Sequence, residues 1–321
     1  MALPQSLQDT LRLPLIGAPM FIVSGPELVI AQCQAGIVGA FPALNARPQA
    51  ELDAWLRRIR DELAAYAEAH PEEKVAPFAV NQIVHASNAR LNADLDTCVR
   101  HQVPIIITSL RPPAEVVAAV HAYGGLVFHD VISMRHARKA IELGVDGIIA
   151  VTAGAGGHAG TLSPFALLKE IRREFTGVLV LSGAMTSGAD ILAARAMGAD
   201  LAYMGTRFIA SVEANAVPEY KDMVVAANAA DVIYTPWFTG VAGNYLRGSI
   251  VRAGLDPDAL GDTAPAAMDF ARRDRGEAKA WKDIWSAGQG VGNIDEIGSA
   301  RSIVLRLERG YRAALNRFGT D

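Results

Sequence analysis

The sequence predicts an α/β protein folded as a (β/α)8 TIM barrel, with a helical and loop-rich insertion before the last helix. Three observations carry this. Eight short apolar runs alternate with longer amphipathic segments over the first two thirds of the 321 residues, the pattern of parallel strands joined by crossover helices. Eight is the number that closes such a barrel, and about 250 residues suffice to build one. Finally, Leu143-Gly144-Val145-Asp146-Gly147-Ile148-Ile149 is echoed by Met197-Gly198-Ala199-Asp200-Leu201-Ala202-Tyr203. In each copy a glycine suits a left-handed helix end, and an aspartate opens the next strand. A doubly wound open sheet shares these local patterns, so it is the count that favours the barrel.

The strands are expected at 14–18, 36–40, 78–81, 104–108, 126–129, 146–151, 178–182 and 201–204. Each is a short apolar run bounded by turn residues, as strands covered on both faces require. Helical spacing occupies 26–34, 49–69, 89–101, 114–123, 134–143, 164–175 and 189–197. After Ser211 the alternation stops, and 212–285 reads as helices and loops punctuated by Pro218, Pro236, Pro257 and Pro265. Residues 1–211 and 300–321 are therefore assigned to the barrel and 212–299 to the insertion, a lid or substrate subdomain. The last helix, 300–318, closes the outer ring with Arg301, Arg306, Arg309 and Arg312 as a solvated face.

Composition removes several classes of function. Asp and Glu (34) outnumber Lys and Arg (30), for a net charge of −4, and there is no basic run to hold nucleic acid. The apolar stretch 13–43 is interrupted by Pro14, Pro19 and Pro26, so it is not one membrane helix. No signal peptide is read at the N-terminus. Cys33 and Cys98 are far apart without a CxxC, which argues against a zinc site or a disulfide framework. A cytoplasmic protein with buried free thiols is expected, and a homodimer is left open.

Chemistry concentrates at the ends of the late strands. Gly154-Ala155-Gly156-Gly157-His158-Ala159-Gly160 follows the sixth strand, where a barrel enzyme keeps its site. His158 titrates near neutrality when unperturbed, and its small neighbours allow a ligand to come close. Ser182-Gly183-Ala184 and Met204-Gly205-Thr206 follow the last two strands, where backbone N–H groups often bind a phosphate. Asn81 at the third strand offers a donor and an acceptor to a flat heterocycle, or else ends the strand in a turn. His129 and Asp130 end the fifth strand. They lack a third partner for a metal, and none is expected. Trp237, Phe238 and Tyr245 form a lid wall or simply pack the insertion. His85, His101, His121 and His136 are read as surface or core histidines.

In this order the motifs resemble the nitronate monooxygenase family, formerly 2-nitropropane dioxygenases, relatives of NADH:quinone reductases and flavin enoyl-ACP reductases. The resemblance rests on Gly17-Ala18-Pro19-Met20, Phe78-Ala79-Val80-Asn81, Gly156-Gly157-His158, Ser182-Gly183-Ala184 and Met204-Gly205-Thr206-Arg207-Phe208. Ile284-Trp285-Ser286-Ala287-Gly288-Gln289-Gly290 completes the set. It implies FMN at the barrel mouth, its phosphate on Ser182, Gly183, Ala184, Gly205 and Thr206. The flavin ring would lie against Ala18, Pro19 and Met20 near Asn81. His129, Gly156, Gly157, Met204, Ser286 and Gln289 complete the implied cofactor set. His158 would act as base or orienting group for a nitronate or nitroalkane, which O2 converts to a carbonyl compound and nitrite. The competing expectations are an NAD(P)H-dependent flavin reductase of a quinone or enoyl thioester, and a non-flavin phosphate-binding isomerase or lyase. His129-Asp130 departs from the resemblance, since some quinone-reductase relatives carry a lysine at this rim.

Overall fold

In the computed structural model, residues 3–111, 114–261 and 281–318 are described. The expected punctuation at Pro265 lies outside them. The elements run α1 (Gln5–Thr10), β1 (Leu15–Gly17), α2 (Pro26–Gln34), β2 (Val38–Pro42), α3 (Glu51–Ala69), β3 (Phe78–Val84), α4 (Leu91–Arg100), β4 (Ile105–Leu110) and α5 (Ala114–His121). The chain continues with β5 (Leu126–Val131), α6 (Met134–Glu142), β6 (Gly147–Val151), β7 (Gly157–His158), α7 (Pro164–Glu174), β8 (Val178–Ser182), α8 (Gly188–Ala196) and β9 (Leu201–Met204). Then come α9 (Thr206–Ile209), α10 (Pro218–Ala226), β10 (Val232–Thr235), β11 (Gly243–Leu246), α11 (Arg247–Arg252) and α12 (Ala300–Phe318).

Eight parallel strands close into a barrel in the order β1-β2-β3-β4-β5-β6-β8-β9. These are the eight expected ones, and β8 and β9 keep the expected bounds. β3, β4 and β5 extend two to three residues beyond expectation, to Val84, Leu110 and Val131. The physical reason is that their tips are polar: Asn81, Ser109 and Asp130 interrupt the apolar run while the backbone ladder continues.

Side chains alternate between lumen and helix layer along every strand. Ile16, Ala79, Ile107, Phe128, Ile149, Val180 and Leu201 fill the lumen. Val80, Ile106, Val127, Ile148 and Leu179 meet the helices. Continued to the C-terminal tips, this parity aims Asn81, Ser109, Asp130, Ser182 and Tyr203 into the mouth, and turns His129 and Met204 outward.

The repeated aspartates close the opposite end. Asp146 Oδ2 accepts from the backbone N–H of Val127 and from His121 Nε2, both at 2.8 Å. Asp200 Oδ2 accepts from Leu179 N–H at 2.8 Å and from Arg172 at 2.6 Å. Each clips the start of its strand to the start of the preceding one. The glycines before them, Gly144 (φ 76°) and Gly198 (φ 103°), are in the left-handed region that the echo predicted.

The segment after β9 is not only helix and loop. β10 pairs antiparallel with β11, and β11 pairs with β7, the two-residue strand that contains His158. A separate apolar cluster holds it together: Tyr245, Ile250 and Ile284 are fully buried, with Phe238 and Trp281 packed against them. Tyr245 is thus packing and not lid wall. α12 lies along α8 and α2 and completes the outer ring. Among the described residues, no helix is long and apolar enough to cross a membrane.

Candidate active site

A cavity of about 470 Å³ opens at the C-terminal mouth of the barrel, within the size range of small-ligand pockets. The ends of most barrel strands contribute to it, so residues far apart in sequence meet there. One wall is the platform Ala18, Pro19 and Met20; the wall formed by β8 and β9 is Ser182, Gly183, Ala184, Gly205 and Thr206. Asn81, Gly156, Gly157, His158 and Ser286 also line it. The structure therefore gathers most of the residues singled out in the sequence around one space.

Three of them are placed elsewhere. His129 is buried on the outer face of β5, where its Nδ1 meets Thr108 Oγ1 at 2.8 Å. Burial lowers its pKa to about 4, so it is a neutral packing group and not a cavity residue. Met204 is buried in the layer between β9 and the C-terminal segment. Gln289 supports the site from behind, its N–H donating to the carbonyl of Gly154 at 2.9 Å. His136, read as surface or core, lines the cavity, as do Arg111 and Tyr203.

His158 is held on two sides. Its Nε2 lies 2.9 Å from Thr239 Oγ1, and Thr239 Oγ1 donates to the carbonyl of Val241 at 2.9 Å. With the single hydroxyl proton of Thr239 on the Val241 carbonyl, Nε2 carries the N–H and Nδ1 is the basic nitrogen. The ring also stands edge-on to Trp281, with centroids 5.3 Å apart and planes at 78°. Burial pushes its pKa down to about 4. The imidazole is therefore neutral near pH 7 and able to accept a proton.

The loop that carries it is tied down from the far side of the sequence. Asn244 Nδ2 donates to the Ala155 carbonyl at 2.6 Å, Gly157 N–H to Ser286 Oγ at 2.6 Å, and Tyr234 hydroxyl to the Ala159 carbonyl at 2.9 Å. A Cβ on Gly156 would stand 2.9 Å from Gly288 N, so this glycine serves close contact between chain segments. That differs from the expectation of glycines that only clear room for a ligand. At Gly205, in contrast, a Cβ would meet only ordinary contacts at 3.4–3.5 Å with Met20 and Ala18. Protein packing does not demand glycine there; its absence of a side chain widens the cavity.

The β8 loop turns through two unusual residues, Gly183 (φ 153°) and Ala184 (φ 51°). Leu110 (φ 77°) and Trp281 (φ 71°) also have positive φ and line the same space. Such backbone is disfavoured for residues with a Cβ and collects at functional sites.

Sequence reading gave no site role to Ser109, Asp130, Tyr203 or Thr239. Asn81 Nδ2 donates to Ser109 Oγ at 2.8 Å, and Ser109 donates to Asp130 Oδ2 at 2.6 Å. Counting parity from Phe128 would have found Asp130. Nothing local marks Thr239, which lies 81 residues beyond its partner.

A parallel (β/α)8 barrel with a ligand cavity at its C-terminal mouth and a neutral histidine in the wall has the form of a small-molecule enzyme. The sequence profile of the nitronate monooxygenase family matches residues 6–310, and the chain belongs to that family. It is 30% identical over 241 residues to a putative monooxygenase of Mycobacterium tuberculosis; the match covers 70% of this chain and 63% of that protein's own length. It is 25% identical to a nitronate monooxygenase of Paraburkholderia phytofirmans, over 95% of this chain and 93% of that one. The FabK structure from Thermotoga maritima superposes with a TM-score of 0.76 at 23% identity, covering 98% and 96% of the two chains; this likeness speaks to the fold.

Proposed function

We propose that the protein is an FMN-dependent oxidoreductase that oxidises alkyl nitronates with O2 to a carbonyl compound and nitrite. The observation that carries this is the placing of a neutral, hydrogen-bonded His158 in one cavity with the β8 and β9 loops, in a chain of the nitronate monooxygenase family. FMN, when bound, would supply the electron acceptance and the oxygen chemistry. The cradle fits it: Gly205 leaves space that packing does not require, and Ser182, Gly183, Ala184 and Thr206 stand beside it to hold a phosphate. Ala18, Pro19 and Met20 offer an apolar face for the ring, and Asn81 an amide for its polar edge.

On this reading His158 takes the α-proton of a neutral nitroalkane on Nδ1, or orients a nitronate already formed. Thr239 keeps the other nitrogen protonated, so the basic one stays free. A positioned base of this kind contributes about 10²–10⁴ in rate. The partners are then a small nitro compound and O2, and the buried thiols of Cys33 and Cys98 suit a reducing cytoplasm.

The purified protein is expected to be yellow and to bleach anaerobically when an alkyl nitronate is added. Protein that stays colourless after incubation with FMN defeats the proposal. Rapid anaerobic reduction by NADH with no reduction by nitronate would instead assign a nicotinamide-dependent reductase.

A further inference from the structure

Among the described residues, the cavity wall contains one carboxyl, Asp130, and its bonding is incomplete. Asn81 donates to Ser109, which fixes the direction of the Ser109 proton toward Asp130 Oδ2. Asp130 Oδ1 is buried with no hydrogen-bond partner. No Lys, Arg or His side chain of the described residues forms an ion pair with it. An ionised carboxylate in this setting would leave charge on an oxygen that neither water nor protein solvates. This differs from Asp146 and Asp200, whose carboxylates each accept from a backbone N–H and from a basic side chain.

No basic side chain of the described residues is paired with Asp130 to compensate. Tyr203 faces the same space from β9, and burial first, with an ionised Asp130 adding to it, pushes its hydroxyl well up. β6 has no titratable residue between Gly147 and Val151. His136 from α6 and His158 from β7 have lowered pKa values and are neutral near pH 7, and His129 points outward from β5. Arg111, which follows β4, is exposed on the rim and forms no ion pair with Asp130 among the described residues.

We propose that Asp130 sets the charge of the cavity floor: it keeps its proton in the ligand-free protein, and its ionisation weakens the hold on an electron-rich or anionic ligand. The choice of FMN as that ligand rests on the flavin reading above; the protonation of Asp130 does not. Desolvation raises the carboxyl to about 7, so the transition falls in the physiological range. Asp130 is a positioning residue in this account: it decides how much negative charge a bound group can carry, without reacting itself.

The test is FMN binding to the apoprotein from pH 6 to 9, for wild type, D130N and D130A. Asn keeps the shape and cannot ionise. The wild-type Kd is expected to weaken about tenfold over this range, the effect of roughly one pKa unit of coupling between ligand and proton. D130N should stay flat within about twofold, since less than half a pKa unit then remains. Ionisation of the FMN phosphate near pH 6 is common to all three proteins and cancels in the comparison. D130A should also lose the pH dependence, with weaker binding throughout. Parallel wild-type and D130N profiles overturn the proposal.

A second measurement needs no cofactor. Infrared spectra of ligand-free wild type should show a carboxylic acid C=O band at pH 6 that disappears by pH 9 and is missing from D130N. Absence of that band in wild type at pH 6 overturns the proposal even if D130N fails to fold. If none of the proteins binds FMN, the flavin reading fails and the infrared result alone decides the state of Asp130.

Discussion

The two ends of the barrel use aspartate in opposite ways. At the N-terminal end, Asp146 and Asp200 each give one oxygen to a backbone N–H and to a basic side chain. At the C-terminal mouth, Asp130 has a single hydroxyl donor and an orphaned oxygen. Around the mouth Leu110, Ala184 and Trp281 also hold disfavoured φ values. One end is finished as structure; the other is left unsatisfied where a ligand would complete it. Bonding accounts of this kind separate stability from function within a single fold.

The largest test of the contrast is His158→Ala. It should lower kcat/KM for a neutral nitroalkane by about 10²–10⁴ while leaving Tm and FMN binding nearly unchanged. Unaltered turnover would remove His158 from the chemistry. Asp200→Ala probes the other end. It should destabilise folding by about 2 kcal/mol, because the Leu179 N–H and the Arg172 guanidinium lose their acceptor. Urea denaturation reads this, with activity per folded molecule preserved. A loss of kcat instead would mean that the N-terminal end is not merely structural.

Thr239→Val is expected to cut turnover by about tenfold, as the loss of one neutral hydrogen bond that fixes a tautomer implies. The pH profile sharpens this. His158 is basic above a pKa of about 4, so the acid limb of wild-type kcat/KM should lie well below pH 6.5. The variant's limb should shift, which a purely structural threonine would not cause. The last test concerns Asp130 and stability. Its folded pKa, about 7, lies above the unfolded value, so the native state holds the extra proton between about 4 and 7. Wild-type stability on this account falls as pH rises through that window. D130N should therefore gain Tm relative to wild type at pH 8, with the gain vanishing below pH 4.

Much of this was legible in the sequence. The eight strands, the glycine caps and the paired aspartates follow from apolar runs and a repeated turn grammar, which are local. The mouth was partly legible, because Gly156, Gly157, His158, Ser182 and Gly205 sit directly after apolar strands. The strand tips were not, since a polar residue on a ladder looks like a turn until its neighbours supply the pairing. His129 was chosen over Asp130 for that reason; only the lumen-to-layer alternation through Phe128 tells them apart. β7, β10 and β11 were missed because they are two to four residues long and, unlike the equally short β1 and β9, lie outside the alternation of apolar runs and helices that marks the barrel strands.

The antiparallel pairing of β7 with β11 makes His158 a shared possession of two parts of the chain. Its backbone is laid down by the barrel, while its ring is posed by Thr239 and Trp281 from the region beyond β9. Grafting another 212–299 region onto this barrel would therefore change the tautomer and tilt of the histidine along with the shape of the pocket. Evolution could then alter what the site accepts, and how strongly it pulls a proton, in one exchange of sequence.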